Sequence, residues 1–386
     1  MNVLVAMDSF KGSLSTNELA DAVAAGILGA VPDARVVKTP IADGGEGFCD
    51  TLLEGLGGRR VTLRVKGPLF EPISASYGIL ENGAAIMEMA SVAGLPLVPE
   101  HLRNPLETTT FGLGEMIRDA MDKGCREFII GLGGSATNDG GMGMAAALGY
   151  DFLDSDGNAL EPVGRSLGHI AAIRADNVVK GIDTCRFLAA CDVENPLCGP
   201  NGAAHVYGPQ KGAGPEAVRQ LDQGLQNLAR VIARDLGKSV DGLAGAGAAG
   251  GLGGGLSAFL PAELRPGVDI IFEQLGMEEL INAADLVFTG EGRLDFQSVM
   301  GKAPLGIAKL AARRNTPVIA LAGSVADDAD KANAHGVTAM FSVMDGPMAL
   351  REAMEKGKAG HLVSKTVRQI MGLVSRLTAT AGTTGS

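Results

Sequence analysis

Short apolar runs that end in glycine-rich, charged turns and then feed helix-period segments recur along this chain, a rhythm that restricts it to the α/β class. Val3 to Met7 runs into Asp8-Ser9-Phe10-Lys11-Gly12-Ser13, and a helix is expected from about Thr16 to Leu28 with Leu19, Val23 and Ile27 on one face. Ser15, with Glu18 three residues on, forms a capping box at its start. Arg35 to Ile41 predicts a second strand, ending in Asp43-Gly44-Gly45-Glu46-Gly47 ahead of a helix that holds Phe48, Leu52 and Leu53. Towards the other end, Asp285 to Phe288 predicts a strand, Thr289 to Asp295 a turn, and Ser298 to Arg314 a helix. Pro317 to Ala322 and Ala339 to Val343 repeat the pattern.

From Arg59 to about Met89 the period changes. Val61, Leu63 and Val65 alternate with polar residues, Gly67-Pro68 follows, and Glu81-Asn82-Gly83 marks a hairpin after a second alternating stretch. This antiparallel meander predicts an inserted second domain, with further strands at Glu127 to Ile130 and Arg186 to Cys191 and a helix at Glu216 to Asp235.

Charge narrows the partners. Against 33 Lys and Arg stand 44 Asp and Glu, a net charge of −11, which repels phosphate backbones and anionic lipid. With 12 Phe, 3 Tyr and no Trp there is no base-stacking platform. No apolar run reaches a membrane span, and the start of the chain reads as a strand without the basic and apolar regions of a leader. Five cysteines and five histidines are scattered, with no C-x-x-C pair, so no His/Cys metal cage is expected. The expected setting is cytoplasmic. Glycine, at 56 of 386 residues, is about twice the usual ~7% and suits turns and close backbone approach to a ligand.

Ligands of open α/β sheets bind beyond the carboxyl ends of the strands. The turns Asp8–Ser13, Asp43–Gly47 and Thr289–Asp295 are therefore expected to bring Lys11, Asp43, Glu46, Glu291, Arg293 and Asp295 to one cleft. Taken singly, each is equally a solvated loop charge. The strongest local signal is Gly131-Leu-Gly-Gly-Ser-Ala-Thr-Asn-Asp-Gly-Gly141, set between a strand and the small-residue helix Met142 to Leu148. Inward backbone N–H groups and a helix N-terminus suit a phosphate, with Gly133, Gly134, Ser135, Thr137 and Asn138 as the contacts; the other reading is a tight structural turn.

Two familiar fingerprints fail. Gly245-x-Gly247-x-x-Gly250 lacks a preceding strand, since Lys238-Ser-Val-Asp-Gly-Leu243 lies there. Gly237-Lys238-Ser239 and Gly301-Lys302 have Ile232 and Phe296 where a P-loop needs its first glycine. The seven glycines between Gly245 and Gly255 read as a hinge or a second phosphate-hugging loop. Asp192, after the strand Arg186 to Cys191 and before Asn195-Pro196, reads as a general base, a Mg²⁺ ligand or a turn cap.

MDSFKGS (Met7–Ser13), PIADGGEG (Pro40–Gly47), GLGGSATNDGGMG (Gly131–Gly143), ACDVENPLCGP (Ala190–Pro200), YGPQKGA (Tyr207–Ala213) and TGEGRLDFQSVMGKAP (Thr289–Pro304) follow one another along nearly the whole chain. In that order they resemble the bacterial glycerate kinases of the first type. The resemblance implies ATP-dependent phosphorylation of D-glycerate, giving 2-phosphoglycerate with 3-phosphoglycerate as the alternative, in a cleft between two domains. It implies a flavodoxin-like parallel-sheet domain from residues 1–62 and 275–386, and an inserted α/β domain with an antiparallel or mixed sheet over 63–274. Strand-end placement then gives the roles. Lys11, catalytic together with Asp192, and Arg293 clamp the glycerate carboxylate or the γ-phosphate, Ser9 binds substrate, and Asp43, Glu46 and Asp295 serve Mg²⁺ or substrate hydroxyls. Gly133 to Asn138 cradle ATP, Asp192 is the base, and Asp192 and Asp295 serve Mg²⁺. A monomer or homodimer is expected, with no nucleic-acid or membrane partner. A hydroxy-acid dehydrogenase is the rival enzyme, and a non-catalytic regulator would need a basic helix that the chain lacks.

Overall fold

A computed structural model describes residues 1–41, 47–295 and 303–383. Two compact units emerge: Met1–Asp43 joined by Ile271–Ser386, and Gly44–Ile270 between them. The junctions fall at 43 and 270, against the 62 and 275 expected. The difference at the first is physical, because the whole strand Gly58–Lys66 is hydrogen-bonded along Pro72–Leu80 and so belongs with the inserted unit.

In the first unit, β1 (Asn2–Met7), β2 (Arg35–Lys38), β11 (Leu286–Leu294), β12 (Val318–Val325) and β13 (Ala339–Ser342) form a parallel sheet in the order β13-β12-β11-β1-β2. Counted within the unit this is 2-1-3-4-5, the flavodoxin order, with the topological switch between β1 and β11. Val3, Val5, Met7, Phe288 and Leu321 pack under Leu19, Val23 and Ile27 of the helix Thr16–Ala30 and Val363 and Val367 of the helix Lys356–Thr383. The capping box is present as expected: Ser15 Oγ accepts from Glu18 N–H, and Glu18 accepts from Ser15 N–H.

The turn expected at Thr289–Asp295 is instead strand through Leu294. Gly290 is the reason, since a Cβ there would stand 1.9 Å from the Leu321 carbonyl oxygen. A bare α-carbon lets β11 lie against β12 in register Gly290↔Leu321 through Leu294↔Val325, carrying charged residues along an extended backbone.

The second unit holds β3 (Gly58–Lys66), β4 (Pro72–Leu80), β5 (Ala85–Glu88), β6 (Glu127–Gly131), β9 (Arg186–Ala190) and β10 (Ala262–Arg265), in the order β10-β9-β6-β5-β4-β3. A small antiparallel ribbon of β7 (Asp151–Leu153) and β8 (Ala172–Arg174) stands apart. β3 to β5 form the expected meander, and β5, β6, β9 and β10 are parallel, so the sheet is mixed. Phe128 and Phe187 stack at 4.6 Å on neighbouring strands, and Leu221, Leu225, Leu228 and Val231 of the helix Pro215–Leu236 enter the same core. Among the described residues no helix is long and apolar enough to cross a membrane.

Candidate active site

β6 and β9 are parallel neighbours paired Gly131↔Ala190, so the chain leaves both carboxyl ends side by side. These exits, Leu132–Ser135 and Ala190–Val193, wall a cavity of about 330 Å³ completed by Leu95, Tyr207, Gln210, Lys211, Ala248 and Ala249. Three of the residues expected to cradle phosphate, Gly133, Gly134 and Ser135, therefore face one space with Asp192. Thr137 and Asn138 do not line it. Both are wholly buried behind the rim, and Thr137 Oγ1 and both Asn138 amide atoms lack a hydrogen-bond partner among the described residues.

The loop is shaped from behind by Asp139. Its fully buried carboxylate accepts from Thr110 N–H and Oγ1, both at 2.7 Å, and from Gly141 and Gly143 N–H at 3.2 and 3.1 Å. Burial pushes this carboxyl above the usual range, and the four donors oppose the shift by favouring the anion.

The glycine run 245–255 packs against the phosphate-loop backbone. Gly250, at φ +71°, would place a Cβ 1.9 Å from Thr137 O, and its own carbonyl accepts from Gly140 N–H. The glycines let this segment lock against the phosphate-loop backbone, and it is Ala248 and Ala249 that reach the cavity wall.

Asp192 is exposed at the wall, with Oδ1 accepting from Gly267 N–H at 2.8 Å. That bond fits the turn-cap reading and also orients the carboxylate.

In the first unit, the expected residues sit at the sheet's switch point. Asp8 N–H donates to Gly290 O, and the Phe10–Leu14 turn closes by paired backbone bonds, which brings Lys11 N beside the Gly292 α-carbon. Ser9, exposed Lys11, Arg293 and Asp295 thus gather at the carboxyl ends of β1 and β11, with Arg293 Nε 3.5 Å from Asp295 Oδ2. Asp43 and Glu46 lie outside the described residues.

The model of the glycerate kinase family matches residues 3–375. The chain belongs to the glycerate kinase family. It is 44% identical over 371 residues to the glycerate kinase of Bacillus subtilis (strain 168), covering 96% of this chain and 97% of that one. It is 45% identical over 354 residues to the glycerate 2-kinase of Escherichia coli (strain K12), covering 92% and 93%. A crystal structure of a candidate glycerate kinase 2 from Salmonella typhimurium LT2 superimposes with a TM-score of 0.90 at 44% identity, covering 98% of this chain and 99% of that one. This member of the family is a kinase, which sets aside the dehydrogenase and the non-catalytic regulator.

The glycerate kinase fold also brings in a residue to which the sequence reading gave no role. Lys211, in the YGPQKGA stretch, is 2% exposed, and its Nζ donates at 2.7 Å to Ser135 Oγ and to Thr137 O. Burial pushes its pKa down to about 7, opposed by the nearby charge of Asp139. The signal was present, a lysine among small apolar residues, yet one sequence does not tell a buried lysine from a solvated one.

Proposed function

We propose that this glycerate kinase transfers the γ-phosphoryl group of ATP to the 2-hydroxyl of D-glycerate. The observation that carries the reading is the convergence of Gly133, Gly134, Ser135 and Asp192 on one cavity at the carboxyl ends of β6 and β9. The loop holds the phosphates. The 2-hydroxyl oxygen attacks the γ-phosphorus, the bond to the β-phosphate bridging oxygen breaks, and Asp192 takes the hydroxyl proton, giving 2-phosphoglycerate and ADP. In the first unit, Lys11 and Arg293 bind the substrate carboxylate by charge-assisted hydrogen bonds, and Ser9 and Asp295 bind its hydroxyls. Asp43 and Glu46 belong to the same proposed set.

Among the described residues no three His, Cys, Asp or Glu side chains form a metal cage. Mg²⁺ needs no such cage: it keeps its waters and is held by one or two carboxylates beside the substrate phosphates. Asp192, held by Gly267 N–H at the cavity wall, is a carboxylate that would hold it. When bound, the ion neutralises charge on the phosphate oxygens.

Phosphorus NMR of D-glycerate, ATP and Mg²⁺ with the protein tests this reading. A new phosphomonoester coupled to a single carbon-bound proton is expected; coupling to two would make the product 3-phosphoglycerate, and no new signal would overturn the reaction. Lys11→Ala is expected to lower kcat/KM for D-glycerate about 10- to 100-fold, the range of one lost charge-assisted bond. An unchanged value would remove Lys11 from the site.

A further inference from the structure

We propose that Lys211 binds a phosphoryl oxygen of the nucleotide, its ammonium aimed by Ser135 Oγ and Thr137 O and completed by the incoming anion. This rests on reading the cavity as the nucleotide site. Lys211 is almost wholly buried, lines that cavity, and has two donors committed to neutral oxygens, one a hydroxyl and one a carbonyl. Neither neutral oxygen compensates a desolvated charge as an anion does. The Asp139 carboxylate acts on the ammonium from behind the loop without a hydrogen bond to it, and an anionic oxygen arriving through the cavity supplies the direct partner.

The ammonium is also the cheaper form to lose while the cavity is empty, since burial holds its pKa near 7. An anion raises that value, so above about pH 7 the nucleotide binds together with a proton. The other ionisable or charged groups facing this corner are Asp139 behind the loop, Asp192 and Cys191 after β9, Tyr207 on the helix Ala203–Tyr207, and Arg103, whose backbone packs on Gly212. Cys191 and Tyr207 are both pushed upwards by burial, away from this range. A nucleotide phosphate has finished its own last ionisation by about pH 7, so it adds no proton demand above it.

Calorimetric titration of the full chain with ADP, without added metal, tests this from about pH 6 to about pH 9 in two buffers of different ionisation enthalpy. The expected result is uptake of about one proton per ADP above pH 7, with affinity falling towards tenfold per pH unit. Lys211→Met, checked for folding by circular dichroism, is expected to lose the proton uptake and at least about tenfold of the affinity near pH 7. Wild-type ADP binding without proton uptake overturns the proposal, as does a folded Lys211→Met that binds ADP and a proton like the wild type, which would assign the proton to Asp139. If that variant does not fold, Lys211→Arg decides, since a guanidinium stays protonated: ADP binding kept with the proton uptake lost supports the proposal, and an unchanged proton uptake overturns it. D-Glycerate titrated alone separates the sources, since proton uptake with it and not with ADP would move the anion to the carboxylate and overturn the phosphate assignment. No ADP binding by the folded wild type at any pH would instead overturn the nucleotide reading of the cavity.

Discussion

Asp192→Asn is expected to fold like the wild type and to lower kcat about 10²- to 10⁴-fold, the range for losing a general base. The substitution keeps size and shape, and the Asn side-chain oxygen still accepts from Gly267 N–H, so the 2.8 Å bond that orients position 192 survives. What disappears is the capacity to take a proton from the attacking hydroxyl and a negative charge at the cavity wall. Steady-state kinetics in D-glycerate and ATP, with circular dichroism as the folding check, separate the roles. A turn cap alone predicts nearly normal turnover, because Asn caps as well as Asp. A wild-type kcat would therefore remove Asp192 from the chemistry.

Gly250→Ala carries the largest expected effect on stability. Its Cβ would stand 1.9 Å from Thr137 O at a φ of +71°, so the substitution meets both a backbone clash and the left-handed penalty. A backbone atom cannot rotate away as a side chain does. Strain of ~1–2 kcal/mol from the left-handed conformation and ~1–3 kcal/mol from overpacking add to about 3 kcal/mol or more. Urea denaturation followed by circular dichroism measures it, and a loss under about 1 kcal/mol would show that the loop yields. Activity should fall as well, because the carbonyl that must move is the one that accepts from Lys211.

Strand exits were the most legible part of the site. Glycine and hydroxyl residues after an apolar run placed Gly133, Gly134 and Ser135 on the cavity wall, and the capping pair Ser15 and Glu18 fixed one helix start. Local pattern failed where a distant backbone decided the outcome. Gly290 and Arg293 read as turn residues, yet lie in β11 because β12 closes on Gly290. Gly250 read as a ligand or hinge glycine, yet its neighbour is Thr137, more than a hundred residues away in the chain. Thr137 and Asn138 carry the right chemistry, but the loop turns them inward. Lys211 could not be told from a solvated lysine, because burial, which gives it its properties, is set by the fold and not by its neighbours in sequence.

The split first unit has a consequence for biosynthesis. β1 is a central strand, yet its partner β11 begins at Leu286, and Asn2 bonds to a residue 283 positions later. The inserted unit is one continuous stretch of chain and can close while the ribosome is still working. The apolar segment Val3–Met7 must wait for that whole stretch to be translated, roughly 15 to 60 s at ~5–20 residues per second. Until then β2 and the capped helix Thr16–Ala30 are its native neighbours, and its other edge is open to strand addition. Nascent chains arrested before residue 286 should therefore depend on chaperones through their first forty residues, whereas their middle is already protected from protease.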